Sequence, residues 1–98
     1  LQARAAVKIP EFGNYLLKFR ARSTTFREIT FNLGHNGSSD NNWVSYARQV
    51  FFLNPEWTHY QLEFHGIPAD ANAFLDFNLG NAGTAPVTID GVSLRLID

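Results

Sequence analysis

Ser45-Tyr-Ala-Arg-Gln-Val-Phe-Phe-Leu53, with Trp43 just ahead of it, decides how this chain is read. Strand side chains alternate with period two. Ala47, Gln49, Phe51 and Leu53 therefore fall on one side, and Tyr46, Arg48, Val50 and Phe52 on the other. One strand cannot hide both sets in the same place, so one set enters a core. The other set carries a tyrosine and an arginine behind a tryptophan. Flat apolar faces mixed with hydrogen-bonding groups suit a flat polar ligand such as a sugar ring.

The rest of the chain repeats the alternation. Tyr15, Leu17, Phe19 and Ala21 oppose Leu16, Lys18, Arg20 and Arg22, which predicts a half-buried strand with one basic face. Ile29, Phe31 and Leu33 are expected inward, with Glu28, Thr30 and Asn32 outward. The polar run Gly34-His-Asn-Gly-Ser-Ser-Asp-Asn-Asn42 reads as a long loop that delivers Trp43. Beyond Asn54-Pro-Glu56, Tyr60, Leu62 and Phe64 are the inward set of the next strand. Trp57 at its start is expected to pack at an edge of the fold. Leu75, Phe77 and Leu79 then face inward, with Phe74, Asp76 and Asn78 outward. In the last strand, Pro86 to Leu96, the parity shifts at Asp90-Gly91, which predicts a bulge there. Val7 and Ile9 alternate like an edge strand that Pro10 ends.

No window holds a helical period. About six or seven short strands with regular turn signals predict an all-β fold, an antiparallel β-sandwich, with residues 1–98 as a single domain. Phe31-Asn-Leu-Gly34 and Phe77-Asn-Leu-Gly80 are identical tetrapeptides. They predict two similar strands in one sheet, each with an asparagine (Asn32, Asn78) on the face away from the core.

Composition removes several function classes. In 98 residues, hydrophobic side chains make up 45% and aromatics 14%, enough for a modest packed core. The net charge is −1 with no basic run, which argues against nucleic acid as a partner. No apolar run is long enough for a spanning helix, so no membrane partner is expected. Cysteine is absent, which excludes disulfides, thiolate metal sites and a cysteine nucleophile. Methionine is absent too, including at position 1, so the sequence reads as a piece of a larger polypeptide.

Tyr15-x-Leu-x-Phe-x-Ala-Arg-Ser23, Phe31-Asn-Leu-Gly34, Trp43-Val-Ser-Tyr46, Leu53-Asn-Pro-Glu-Trp57 and Thr88-Ile-Asp-Gly-Val-Ser-Leu94 occur in that order. The series resembles the jelly-roll carbohydrate-binding modules of the family 4, 9 and 22 group, attached to bacterial glucanases and xylanases. The resemblance covers roughly residues 15 to 96. Those modules usually open with a further strand that this chain lacks. The resemblance implies a jelly roll that binds single polysaccharide chains in a groove on one sheet, secreted together with an appended glycoside hydrolase. The implied ligands are plant cell-wall β-glucans, β-1,4 or mixed-linkage, with xyloglucan and xylan as further candidates. It also implies a structural calcium ion, with Asp90 at the position of its aspartate ligand.

The candidate ligand-binding residues are Trp43, Tyr46, Arg48, Asn32, Asn78 and Asp76. Trp43 either stacks on a sugar or caps one end of the sandwich. Tyr46 can stack and hydrogen-bond together. The fork of Arg48 suits paired hydroxyls, but a salt bridge to Asp76 or Glu28 is an equal reading. Asn32 and Asn78 both donate and accept. Phe52 and Phe74, in outward sets, form a groove wall or lie under a loop. His59, His65 and Glu63 share a parity that reads as a solvated face. Asp90 either binds calcium or locks the bulge. A glycosidase needs two facing carboxylates. Asp76 and Glu28 could share a face with Arg48, but such outward pairs are common. The closely spaced run of acids of β-sandwich glucanases is missing, and no motif supports a serine nucleophile, so the expected protein is not an enzyme. The competing class is a structural or protein-interaction β-sandwich of a cell-surface protein.

Overall fold

A computed structural model describes residues 2–36, 43–79 and 86–97, without the side chains of 2, 3, 36 and 43. The described residues form seven strands: β1 (Gln2–Ile9), β2 (Gly13–Ser23), β3 (Arg27–Asn36), β4 (Trp43–Leu53), β5 (Thr58–Ile67), β6 (Asp70–Asn78) and β7 (Val87–Leu96). They form a four-stranded sheet ordered β1-β6-β3-β4 and a three-stranded sheet ordered β5-β2-β7. Every pairing is antiparallel. The expected β-sandwich is observed. Among the described strands, β3 and β4 are the one hydrogen-bonded pair adjacent in sequence.

The inward parities follow the hydrophobic pattern. Tyr15, Leu17, Phe19 and Ala21 of β2 are buried, as are Ile29, Phe31 and Leu33 of β3, Phe51 and Leu53 of β4, and Leu75 and Phe77 of β6. Aromatic rings join the two sheets. Phe19 meets Phe51 and Phe77 edge-on, each with ring centroids 5.0 Å apart. Phe64 stacks on Phe31 at 5.4 Å. Truncating a ring so enclosed costs about 3–5 kcal/mol.

The two identical tetrapeptides lie on neighbouring strands. Phe31 pairs directly with Phe77, Asn32 with Asp76, and Thr30 with Asn78. The echo thus has a local two-fold centred on the phenylalanine pair. The expected bulge is also present: Lys18 pairs with Ser93 but Arg20 with Asp90, so two residues of β7 face Phe19. Gly91 sits there at φ 63°, a conformation that a side chain disfavours. Asp90 accepts the Gly91 N–H at 2.8 Å.

β3 runs to Asn36, so His35 belongs to a strand and not to the expected loop. The remainder of that loop, 37–42, lies outside the described residues, as does Gly80 of the second tetrapeptide.

Candidate ligand-binding face

The outer face of the four-stranded sheet gathers most of the candidate residues. Register builds it in rows. Arg4 of β1 pairs with Asp76 of β6, Asp76 with Asn32 of β3, and Asn32 with Arg48 of β4. With strands about 4.8 Å apart, this polar row is about 14 Å long. One row along, Asn78 pairs with Thr30, and Thr30 with Val50. At the far end Glu28 pairs with Phe52.

Asp76 is only 3% exposed although it points away from the core. The Arg4 guanidinium lies 3.7 Å from its carboxylate and 5.3 Å from the ring centre of Phe74. Arg4 therefore shields Asp76, and the carboxylate forms the floor of the row. Arg48 is exposed and makes no ion pair among the described residues, so the alternative bridges to Asp76 and Glu28 are not formed. Phe52 is 71% exposed on the same face as Arg48. Phe26, 82% exposed, joins Phe52 and Glu28 around a shallow cavity of about 320 Å³. The sequence left Phe52 either as a groove wall or as a residue under a loop, and its exposure favours the first. Phe26 was missed, because it lies in a turn where alternation carries no signal.

Tyr46 is not on this face. Leu33 pairs with Ala47 and Gly34 with Ser45, so Tyr46 is the extra residue of a bulge in β4. A bulge breaks period-two counting, and the phenol turns to the core side, where it packs at the rim of the core. Its hydroxyl donates to Asp70 Oδ2 at 2.7 Å. His35 Nδ1 lies 2.6 Å from the same carboxylate oxygen and 2.6 Å from the tyrosine oxygen. The carboxylate can only accept, so both neighbours point protons at it. The Tyr46 hydrogen bond, with smaller help from the Asn72 N–H and His35, holds the Asp70 carboxyl below its ordinary value. Partial burial, then the Asp70 hydrogen bond and charge, push the Tyr46 hydroxyl from 10.0 to about 12. Gly34 opposite the bulge has no room for a side chain: a Cβ there would lie 1.9 Å from the Val44 carbonyl oxygen. Trp43 opens β4 paired with Asn36, and its side chain lies outside the described residues.

Two other expectations separate from this face. Trp57 does not pack against the core. It is 41% exposed, with Arg20 and Arg22 over its ring at 4.6 and 5.3 Å on the outside of the three-stranded sheet. Asp90 lies on that same outer side. Its Oδ2 accepts from Arg20 at 2.6 and 3.2 Å, and its Oδ1 from the Gly91 N–H. Arg20 first, then Gly91, keep its carboxyl below the ordinary value. Both oxygens thus serve the bulge and a guanidinium. Among the described residues no cluster of three or more acidic or histidine side chains gathers there or elsewhere. A hard cation takes several oxygens at once, so a calcium ion there would compete with Arg20 for Asp90.

Among the described residues, Asp76 and Glu28 do not form a catalytic pair of the glycosidase kind. Glu28 sits four residues along and one strand away from Asp76. Their Cα atoms are about 14 Å apart from strand spacing alone, beyond the roughly 5–9.5 Å that carboxylate pairs need.

No protein-family model matches the sequence, and no curated protein does. Solved structures do. A family 4 carbohydrate-binding module (CBM4) superposes with a TM-score of 0.85 at 22% identity, over 98% of this chain. The N-terminal cellulose-binding domain of Cellulomonas fimi β-1,4-glucanase C superposes at 0.79 and 19% identity, over 99%. The chain has their fold. It spans 61% of the first structure's chain and 69% of the second's.

Proposed function

We propose that this chain is a non-catalytic carbohydrate-binding module that holds β-glucan chains across the outer face of its four-stranded sheet. The carrying observation is the cross-strand row Arg4–Asp76–Asn32–Arg48, with Asn78 one row along and exposed Phe52 on the same face. Asn32 and Asn78 offer both donors and acceptors, Arg48 a planar fork, and Asp76 an acceptor. Phe52 offers an apolar plane for one side of a pyranose ring. Trp43 opens the strand that carries Arg48 and Phe52 and belongs to the proposed ligand set. Tyr46 contributes from behind, by fixing the bulge.

The ligands that fit are β-1,4 or mixed-linkage glucans of the plant cell wall, with xyloglucan and xylan next in a screen. Such a module tethers an appended glycoside hydrolase to its substrate outside the cell. Contacts of this kind give micromolar to millimolar affinity, about −4 to −8 kcal/mol. Native affinity electrophoresis in gels containing soluble β-glucan tests the proposal. The wild type is retarded and an Asn32→Ala/Arg48→Ala variant migrates freely. Unretarded wild type on every neutral glucan and xylan refutes it.

A further inference from the structure

The basic face read in β2 has no role in the glucan proposal, and the fold gathers more charge onto it. Register places Lys18, Arg20 and Arg22 of β2 beside Gln61 and His59 of β5, and beside Ser93, Asp90 and Thr88 of β7. Arg95 joins next to Leu16. Four of the eight lysines and arginines thus share the outside of the three-stranded sheet, in a chain of net charge −1. The acids facing them from the same elements are Asp90, bound to Arg20, and Glu63, which lies 3.8 Å from His65 at the far end. Lys18 and Arg95 make no ion pair among the described residues. A shallow depression of about 480 Å³ runs between Lys18, Arg20, His59, Gln61, Ser93 and Arg95. Trp57 stands at one end with its ring held by two guanidinium groups and 41% exposed.

We infer that this outer face is a second polysaccharide site, built for a sugar chain that carries a carboxylate on its repeating unit. Side chains two apart on β2 are about 6.8 Å apart, so Lys18, Arg20 and Arg22 form a linear ladder of charge. A ladder of that kind matches a polymer with regularly spaced acids better than a single small anion. Gln61, Ser93 and Thr88 lie between the cations and suit hydroxyls. Trp57 supplies the flat apolar surface that a pyranose face needs and a phosphate chain does not.

The site is separate from the glucan face, so each is tested without the other. Native affinity electrophoresis is run in gels containing polygalacturonate, neutral β-glucan or double-stranded DNA, at low and high salt. The wild type is retarded by polygalacturonate at low salt and much less at high salt. Lys18→Gln/Arg95→Gln, which breaks no ion pair, weakens that retardation by at least about fivefold, and so does Trp57→Ala. Retardation by neutral glucan is unchanged in Lys18→Gln/Arg95→Gln. Absence of retardation by polygalacturonate, or equal retardation of wild type and double variant, overturns the inference. Equal retardation by DNA shows a general anion surface and overturns the assignment to acidic sugars.

Discussion

Tyr46→Phe removes one oxygen and leaves the ring. That oxygen donates to Asp70 at 2.7 Å and touches His35 at 2.6 Å, tying β4 to β6 and β3. A hydrogen bond to a charged acceptor contributes about 1.5–3 kcal/mol. Asp70 keeps the Asn72 N–H and His35 as donors, and water reaches the half-buried site. The lower end of the range, about 1.5 kcal/mol, therefore applies. In a domain of this size that lowers Tm by roughly 6–12 °C at neutral pH. The pH dependence separates this bond from mere repacking. Asp70 titrates lower in the folded chain than in the unfolded one. Its stabilisation is complete above the unfolded value near 3.8 and is lost as pH falls through the folded value. Tyr46 titrates higher, at about 12 against 10.0. Its share is complete below pH 10 and is lost as pH rises through about 12. Calorimetry of both proteins from pH 2 to 7 should show the Tm gap open at neutral pH and close in acid. An equal Tm at pH 7, or a gap that stays constant down to pH 2, refutes the argument.

Phe52→Ala should weaken β-glucan binding by about five- to thirty-fold, the loss of roughly 1–2 kcal/mol of apolar contact, measured by titration calorimetry with unchanged Tm. Gly34→Ala should destabilise by about 3 kcal/mol or more, because the new methyl meets the Val44 carbonyl and only backbone movement relieves it; urea unfolding reads this. Chelator should leave Tm unchanged, since Arg20 and Gly91 already use both oxygens of Asp90; a Tm that rises with added calcium would restore the metal reading. Asp90→Ala should lower Tm instead, by uncapping the β7 bulge.

Most of the fold was legible because the strands alternate cleanly. The inward sets of β2, β3 and β6 needed only period-two counting, and the break at Asp90-Gly91 disclosed its own bulge. The outer-face row was half legible: parity put Asn32, Arg48 and Asp76 outward, but only register shows that they adjoin. Tyr46 went wrong for a physical reason. An inserted residue reverses parity, and the β4 bulge is set by close approach to Gly34 on another strand, which local sequence does not carry. Asp70 and His35 escaped notice likewise, because their partnership spans β6 and β3. Trp57 does lie at an edge, just ahead of the edge strand β5, but local sequence did not show that its ring goes to two arginines of β2.

The strand order also sets how this chain must reach its native state. Only β3 and β4 can pair as a hairpin; Gln2 waits for Asn78, and Tyr15 for Leu96. Almost every ladder therefore closes a long loop before it gains anything, which places folding in the millisecond-to-second range typical of such topologies. During synthesis β1 and β2 emerge before their partners and stay unpaired until β5, β6 and β7 follow. The apolar side of β2 is open to aggregation in that interval, so slower, cooler expression favours soluble product.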